Sequence, residues 1–470
     1  MEQKTTQKIP IALLCVLYGC GSIAGFNENL VNMALVAIMN EFAVDAVTVQ
    51  WLVTGYMIAA TVVIICMSFC YRRFTLRSLF IGAAVLSIAG SALGFVAVNF
   101  FAILVGRLIQ AIGTGMFIPL MMNVIVDKVP PQKMGTYVSL GGSMITLGPA
   151  TAPIVTGFLV SAFGWRSVFL VPLVATIVLL LLGVFIVRDS RNAGEAHFDV
   201  LSVALAALGI TLLTFGLAQV SSNTLIGIVA LIVAVVVMFL FVHRQFSLEF
   251  PLVSMKPMMD DTYWPAVVLV IVTMMTYFSF SVMAPLYFEE GAGLTPATAG
   301  LLMVVPVLTN ATAALVGGRV LDKRGEWPLL PLGLMLAALG VVLMIVGAIL
   351  LHMVVVTVGI FIGYLGTGMV LSPAQSAGLK RLPNELNADG VSLMTSSVQL
   401  ASCVGPAAYI GVMSALQNSF LAGGVADQAA ASYGFAGAMA AALVIVLVGL
   451  VCAWRYACRM RNNANGKMPF

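Results

Sequence analysis

Fourteen apolar runs, each about 20 residues long, limit what this chain can fold into more than any other feature. A hydrocarbon core roughly 30 Å thick is crossed by about 20 apolar residues in a helix. Because lipid offers the backbone no hydrogen-bond partners, such runs fold as helices. We therefore predict an all-α polytopic membrane protein with transmembrane spans near residues 10–38, 49–70, 77–98, 100–126, 136–162, 166–187, 199–219, 224–242, 263–288, 296–317, 328–351, 354–378, 389–416 and 433–457.

The composition excludes a soluble protein of this length. Of the 470 residues, 61% are hydrophobic and 9% are charged, whereas roughly 25% of an average soluble domain is charged. The net charge of +4 is small, and it lies on one side of the predicted membrane. The charge therefore reports topology and gives no indication of a nucleic-acid partner.

The basic residues predict the orientation of the spans. Cytoplasmic loops carry an excess of Lys and Arg. With the N-terminus in the cytoplasm, every Lys and Arg except Arg107 and Arg166 falls in a segment predicted to be cytoplasmic. Arg107 lies within span 4, and Arg166 lies on the outer side. Because a different number of spans would break this alternation, we predict fourteen spans with both termini cytoplasmic.

No motif indicates catalysis. The sequence lacks the Gly-x-x-x-x-Gly-Lys-[Ser/Thr] loop that binds nucleotide phosphates. Its seven cysteines and three histidines show no metal-ligand or disulfide-framework spacing. We therefore predict that the protein is not an enzyme and has no metal site and no cofactor.

The two ends of the chain share a repeated pattern. Ile112–Met116 in span 4 recurs as Leu365–Met369 in span 12, and Gly148-Pro149 in span 5 recurs as Gly405-Pro406 in span 13. Spans 1–6 therefore correspond to spans 9–14, and spans 7 and 8 form an inserted hairpin. The predicted boundaries are 1–190 for the first six-helix bundle, 191–258 for the hairpin with its linkers, and 259–470 for the second bundle with a short cytoplasmic tail. Repeated bundles around a central cavity are typical of secondary transporters.

Five motifs, in order along the whole chain, carry a resemblance to a known family. Phe26–Leu35 is similar to Leu-Asp-x-Thr-Ile-Val-Asn-Val-Ala-Leu, and Arg107–Gly115 to Arg-x-x-Gln-Gly-x-Gly. Gly148–Gly157 resembles an antiporter motif rich in Gly and Pro, Gly164–Arg166 opens span 6, and Gly318–Gly325 resembles a cytoplasmic loop motif. Together they resemble the major facilitator superfamily, specifically its fourteen-span drug:proton antiporter branch of the multidrug efflux type.

The resemblance implies a major facilitator fold, with two six-helix bundles plus the inserted hairpin. It implies a monomer in the bacterial cytoplasmic membrane that exports hydrophobic or amphiphilic small molecules in exchange for protons, by alternating access. The proton gradient would be the energy source, and spans 2, 5, 10 and 13 would face each other between the halves. Two alternatives remain open: a dedicated metabolite or lipid transporter without proton coupling, and a membrane receptor or scaffold, against which the lack of a sensory domain argues.

Glu28 is the candidate proton-coupling residue, with Arg107 as its candidate partner. Glu28 is the one acidic residue clearly inside a span, where a charge costs at least about 2.5 kcal/mol and indicates function. Arg107 either exchanges with Glu28 in a proton relay, forms a fixed ion pair with it, or bonds helix-end carbonyls. The family's signature has Asp at the position of Asn27, so the acid is shifted by one residue, about 100° around a helix.

The predicted substrate site combines amides near Glu28 with aromatic side chains. Asn32 is four residues after Glu28, so a continuous helix would place both on one face. Amides also serve as glue between membrane helices, and aromatic residues as ordinary packing. The predicted substrate-binding residues are Asn27, Asn32, Trp51, Tyr56, Gln110, Tyr277, Phe278, Phe280 and Gln399.

Two further sets of residues are predicted to serve conformational change. The Gly and Pro residues of spans 5 and 13 allow close packing and kinks: Gly148, Pro149, Pro153, Gly157, Gly405 and Pro406. The loop motif after span 10 is intact, with Gly318, Asp322, Lys323 and Gly325. Its copy after span 2 has Arg72 in place of the Asp. The sequence therefore predicts a conformational latch on one side of the molecule only.

Overall fold

The structure, a computed structural model, describes residues 10–44, 46–188, 198–219 and 224–464. These residues form fifteen α-helices joined by short 3₁₀ turns, one π-helical turn at Tyr287–Gly291, and loops. The helices are α1 Ile11–Glu28, α2 Leu35–Phe42, α3 Ala46–Arg73, α4 Leu76–Phe95, α5 Phe100–Lys128, α6 Met134–Phe163, α7 Leu170–Ile186, α8 Val200–Gln219, α9 Thr224–Ser247, α10 Trp264–Leu286, α11 Pro296–Arg324, α12 Leu329–Ile349, α13 Met353–Leu379, α14 Asn387–Ala422 and α15 Asp427–Ala464.

Thirteen helical segments of the described chain are long and apolar enough to cross a membrane. They coincide with the predicted spans except the fifth, where the structure has the 30-residue helix α6. The prediction of an all-helical polytopic membrane protein is confirmed.

The first span is not the continuous helix that its hydropathy predicts. Helix α1 ends at Glu28, and a 3₁₀ turn at Asn32–Ala34 precedes α2. Asn side chains compete with the helical backbone for hydrogen bonds, and here Asn32 Nδ2 donates to Asn29 Oδ1 at 2.9 Å. The prediction that Glu28 and Asn32 share a helix face is therefore wrong, and Glu28 lies at a helix end.

The internal repeat appears as equivalent helix crossings in the two halves. A Cβ atom on Gly148 of α6 would lie 2.4 Å from the backbone nitrogen of Phe26 in α1. At the equivalent crossing of α14 on α10, a Cβ atom on Gly405 would lie 2.7 Å from the Cα atom of Met275. Glycine permits these close approaches because it has no side chain. Both glycines thus lie at close helix crossings, which is the position that their predicted packing role requires.

This crossing offers a test with a matched control on the same helix. Gly148→Ala should destabilise the protein by about 1–3 kcal/mol through overpacking. Gly157→Ala should be tolerated, because the nearest atom to its new Cβ would be Met33 Cγ at 4.0 Å. Thermal unfolding of both purified variants measures the difference, and equal midpoints would contradict the assigned crossing.

The inserted hairpin, α8 and α9, packs beside the first half. Ala206 and Ile210 of α8 and Phe241 of α9 share a buried cluster with Ile65 and Phe69 of α3. Near the loop between the first bundle and the hairpin, Arg244 Nε donates to Asp199 Oδ2 at 2.7 Å. This bond holds the pKa of Asp199 well below its usual range, at about 2. The predicted domain boundary at residues 190 and 191 lies outside the described residues.

The two halves, α1–α7 and α10–α15, meet through the helices that the resemblance predicts. Helix α6 packs on α11, and α3 packs on α14. The end of the molecule that carries Arg72, Lys133, Arg324, Lys380 and Arg381 is called the basic end. There, one hydrophobic core includes residues of both halves, whereas at the opposite end each half has a core of its own. The halves are therefore closed together at the basic end, whereas among the described residues no shared core joins them at the opposite end.

Candidate substrate and proton site

Glu28 lies where the two halves face each other. It is half-buried at the end of α1, and its carboxylate lies near the Gln399 side chain of α14. The hydroxyl groups of Tyr56 on α3 and Tyr277 on α10 are close enough to interact electrostatically with Glu28. The site therefore joins an acid, an amide and two phenols from four helices of both halves.

Tyr277 makes a second contact between the halves. Its hydroxyl lies near the side chain of Thr146 on α6. Its ring packs edge-on against Phe278 and Tyr364, with centroids 5.4 Å and 5.3 Å away. Three aromatic rings thus form one wall close to Glu28, which is the mixture of apolar wall and few polar anchors typical of small-molecule sites.

Arg107 is fully buried in the first half and does not pair with Glu28. Its Nε and Nη2 atoms donate to the carbonyls of Leu52 and Asn27 at 3.2 Å and 3.1 Å, and Nη1 donates to Gln110 Oε1 at 2.7 Å. The guanidinium also lies 4.0 Å from the centroid of the Tyr56 ring, a favourable cation–π contact. Among the described residues no carboxylate pairs with Arg107, so the predicted fixed ion pair is absent from this conformation.

Most of the predicted amide side chains do not contact Glu28. Gln110 is buried, and its Nε2 donates to Ser91 Oγ at 2.7 Å. Asn27 is also buried, and its side chain has no hydrogen-bond partner among the described residues. Asn32 is half-buried and bonds to Asn29. Gln110 and Asn32 thus hold helices or turns together in this conformation, the Asn27 amide makes no bond among the described residues, and Gln399 is the amide near Glu28.

Only some of the predicted aromatic residues lie near Glu28. Tyr56 and Tyr277 lie beside Glu28, and Phe278 packs on Tyr277. Phe280 is fully buried in the core of the second half, with its ring 5.8 Å from that of Tyr364. Trp51 is 41% exposed near the start of α3. The structure thus brings three of the five aromatic residues together and leaves Phe280 and Trp51 apart.

Each half contains a buried hydrogen bond to the threonine of the repeated sequence, and sequence reasoning missed both bonds. In the first half, the Tyr56 hydroxyl and Thr114 Oγ1 are 2.7 Å apart. At the equivalent place in the second half, Asn310 Nδ2 donates to Thr367 Oγ1 at 3.0 Å. Both threonines belong to the repeated Gly-Thr-Gly sequence. Aligning the halves on this sequence pairs Tyr56 with Thr309, so it places Asn310 one residue from the counterpart of Tyr56.

The loop motif after α11 closes one side of the basic end. Asp322 accepts hydrogen bonds from the backbone nitrogens of Gly135 and Thr136 at 2.8 Å and 2.7 Å, and from Thr136 Oγ1 at 2.6 Å. A carboxylate at a helix N-terminus also interacts favourably with the helix dipole. Gly318 lets α11 approach α6, since its Cβ would lie 2.4 Å from the Gly135 carbonyl oxygen. Asp322 therefore ties the second half to the start of α6.

The other residues of this motif have different surroundings. Gly325 ends α11 with a positive φ of 76°, a conformation that favours glycine. Lys323 is exposed.

A second latch closes the other side of the basic end, so the prediction of a one-sided latch is wrong. Arg72 of α3 pairs with Asp389 of α14 at 3.2 Å. Asp389 also accepts a bond from the hydroxyl of Ser68 and one from the backbone nitrogen of Ser254 at 2.9 Å. In this copy of the motif the first half supplies the cation, and the carboxylate comes from the facing helix.

The linker that follows the hairpin takes part in this second latch. Arg72 Nη2 donates to the carbonyls of Pro251 and Leu252 at 2.8 Å and 3.2 Å. Leu252 and Val253 are buried in the cluster that includes α3 and the hairpin. Opening the basic end at this side therefore requires the linker to release one of the two halves.

The remaining predicted proline residues lie inside helices. Pro149 packs against Gly25 at the crossing of α1 and α6, where a Cβ on Gly25 would lie 3.1 Å from Pro149 Cδ. Pro406 is inside α14. The side chain of Pro153 lies outside the described residues.

Comparison with known proteins decides the family. The sequence profile described as Major Facilitator Superfamily matches residues 17–406. This chain belongs to the Major Facilitator Superfamily. Two of its relatives in the superfamily are the lincomycin resistance proteins LmrB of Listeria innocua and of Bacillus subtilis, each 30% identical. The alignments cover 96% of this chain and 98% and 96% of the relatives.

Other superfamily members are more distant. The multidrug resistance protein B homolog of Mycobacterium tuberculosis is 27% identical over 84% of this chain and 74% of its own. The solved proton:xylose symporter XylE aligns with a TM-score of 0.67 at 16% identity, over 96% of this chain and 97% of its own. The human organic anion transporter MFSD10 gives 0.69 at 12% identity, over 95% and 100%. These structures share the fold.

Membership in the superfamily establishes the class of protein. The chain is a multi-pass membrane transporter and not an enzyme. Its relatives are bacterial proteins of drug resistance, consistent with a place in the plasma membrane.

Proposed function

We propose that this transporter exports hydrophobic or amphiphilic compounds in exchange for protons by alternating access. The observation that carries the proposal is the position of Glu28, a half-buried acid at the junction of the two halves, close to Gln399 of the facing half. The nearby phenols and aromatic wall offer apolar surface to a substrate. One acid that meets both a proton and a substrate suffices to couple their movements, if the two compete for it.

The proposed cycle uses both latches and the Glu28 site. With the basic end closed, substrate leaves towards the outside and a proton binds Glu28. Protonation removes the charge that attracts the Gln399 amide and weakens this contact between the halves. The latches of Asp322 and of Arg72 with Asp389 then open, and Glu28 becomes accessible from the basic end. The proton leaves there, and a new substrate takes its place.

This cycle requires the basic end to face the cytoplasm. We propose fourteen spans with both termini cytoplasmic, α6 being the fifth, and a monomer made of bundles 1–190 and 259–470 with the hairpin segment 191–258. The proton gradient is the proposed energy source, and no cofactor takes part.

The proposed topology predicts opposite labelling of two loop positions. Single cysteines replace Val98, between α4 and α5, and Gln132, before α6, in a background without the seven native cysteines. Both positions are exposed, and the positive-inside rule places them on opposite sides. We expect a membrane-impermeant maleimide to label Val98→Cys but not Gln132→Cys in intact cells. Labelling of both would refute the topology.

Transport by the purified protein in liposomes tests the function. The probes are lincomycin, which is in the name of the relatives, and ethidium, a lipophilic cation. We expect an imposed pH gradient to drive accumulation of at least one probe, and collapse of the gradient with an ionophore to abolish it. Accumulation of neither probe would count against drug export.

A second function, a dedicated transporter without proton coupling, is favoured by one observation. Asn27 occupies the position where the branch carries an Asp, and its buried side chain has no partner among the described residues. In that case the same liposomes should equilibrate a probe, or a metabolite, equally fast with and without a pH gradient. The two functions therefore give opposite results in one assay.

A further inference from the structure

Helix α11 carries a cationic groove that the proposed transport cycle does not use. The groove is lined by Arg319, Lys323 and Arg324 together with Val316 and Val320. Within the described chain none of the three cations forms an ion pair. Like charges at this spacing repel one another, so an anion bound between them would be stabilised.

The groove lies on the face of α11 that points away from the other half. Residues three and four apart share a helix face, which places Val316, Arg319, Val320 and Lys323 together. Gly318 and Asp322, whose backbone and side chain contact α6, lie on the other side of α11. An anion in the groove therefore does not compete with the Asp322 latch.

An exposed apolar stripe leads along the same face to this groove. Leu301, Val305, Leu308 and Val316 follow one another at helical spacing and are 71%, 58%, 48% and 56% exposed. In a membrane protein such a face contacts lipid chains. The stripe begins near the opposite end of α11 and ends where the cations begin, at the membrane boundary of the basic end. The apolar stripe and the cations thus adjoin in the same order as the acyl chain and the anionic headgroup of a phospholipid.

We infer that this groove binds one anionic phospholipid, with its phosphate on Arg319, Lys323 and Arg324 and an acyl chain along Val316 and Val320. Basic pockets at the cytoplasmic side of membrane helices are suited to anionic headgroups, and each Lys or Arg near the surface contributes about 1 kcal/mol. The orientation proposed above assigns this lipid to the cytoplasmic leaflet. The site itself depends only on the groove and the stripe, and not on what the protein transports.

Native mass spectrometry of the detergent-purified full-length protein tests the site. The probes are dioleoyl phosphatidylglycerol and dioleoyl phosphatidylcholine, which share their acyl chains. We expect the wild type to bind the first phosphatidylglycerol at least about tenfold more tightly than phosphatidylcholine. The triple variant Arg319→Gln, Lys323→Gln, Arg324→Gln should lose this preference.

A second triple variant controls for the loss of charge at the same end. Arg455→Gln, Arg459→Gln, Arg461→Gln removes three cations of α15, of which Arg459 already pairs with Asp261, and should keep the preference. An equal loss in both variants would overturn the inference. If the first triple variant does not fold, Lys323→Gln and Arg324→Gln singly should each weaken phosphatidylglycerol binding about fivefold.

Free anion is the remaining alternative occupant. Inorganic phosphate at millimolar concentration should not displace phosphatidylglycerol, because phosphate gains nothing from the apolar stripe. Val320→Asn should weaken phosphatidylglycerol binding for the same reason. Full displacement by phosphate, together with unchanged binding to Val320→Asn, would show an anion site without a lipid chain and would overturn the inference.

Discussion

We expect the Glu28→Gln variant to fold and bind substrate but to accumulate no probe in response to a pH gradient. Gln keeps the size and hydrogen-bonding capacity of the side chain and removes the group that titrates. Accumulation should fall to the level of empty liposomes, because Glu28 is the one acid of the described residues at this site. Downhill exchange of probe for probe should survive, since exchange needs no net movement of protons.

The surroundings of Arg107 make this variant easier to interpret. Had Glu28 neutralised Arg107, its removal would leave a buried unpaired cation, at a cost of about 3–5 kcal/mol. The hydrogen bonds of Arg107 go instead to two carbonyls and Gln110. We therefore expect the thermal midpoint of Glu28→Gln to remain within a few degrees of the wild type, a change of less than about 1 kcal/mol. A large loss of folded protein, restored by adding Arg107→Gln, would show that Glu28 serves only to balance this charge.

Glu41, near the end of α2 and just beyond the predicted first span, provides a matched control. It pairs with Arg166 at 2.8 Å and is substantially exposed. An exposed pair contributes about 0–1 kcal/mol, so Glu41→Gln should leave both transport and stability close to the wild type. Equal loss of transport in Glu41→Gln and Glu28→Gln would mean that the assay responds to the loss of any acid in this part of the chain.

The second large effect is expected from Asp322→Ala, which should open the basic end. The carboxylate accepts three hydrogen bonds from the start of α6, and a bond to a charged group contributes about 1.5–3 kcal/mol. Water replaces part of this hydrogen bonding when the latch opens. We therefore expect the substitution to shift the free-energy difference between the open and closed states by about 3 kcal/mol. That shift changes the ratio of open to closed molecules by about a hundredfold.

A cysteine buried in the latch reports this opening. Ser139 is buried on α6 against Gly318, and its hydroxyl has no hydrogen-bond partner among the described residues. Ser139→Cys therefore loses no bond. In a background without the native cysteines, Asp322→Ala should speed maleimide labelling of this introduced thiol in the purified protein by up to about a hundredfold.

The control for this experiment removes another carboxylate of the basic end. Asp261 pairs with Arg459 on the surface, where both side chains are exposed. Asp261→Asn should leave the labelling rate unchanged, because exposed pairs contribute little. If Asp322→Ala labels no faster than Asp261→Asn, Asp322 does not hold the basic end closed.

Hydropathy and charge predict the features that depend on the lipid bilayer, namely the membrane spans and the rare acid within one of them. Spans follow from apolar length, and the repeat follows from short motifs such as Gly-Thr-Gly, because close helix crossings require small residues in both halves. Glu28 was predicted as a site residue from its rarity alone, since an acid within a span is expensive. These inferences need no knowledge of which helices touch.

The errors arose where the outcome depends on contacts between distant parts of the chain. The Glu28 neighbour Gln399 comes from the other half, and Asp389 lies far from Arg72 in sequence, so neither pairing is visible locally. Position by position, the motif after span 2 has Arg72 in place of the Asp, which predicts a latch on one side only. In the structure the carboxylate on that side is Asp389 of the facing helix α14, and Arg72 supplies the cation. The break after Glu28 was hidden because Asn32 and its neighbours leave the mean hydropathy of the span high.

Proton release on substrate binding tests the central claim most directly. The purified protein is placed in weakly buffered detergent solution with a pH indicator, and the transported probe is added. If substrate and proton compete for Glu28, the wild type should acidify the solution as probe binds, and Glu28→Gln should bind probe without releasing protons. Equal proton release by the wild type and by Glu28→Gln would contradict the account, because another group would then carry the exchanged proton.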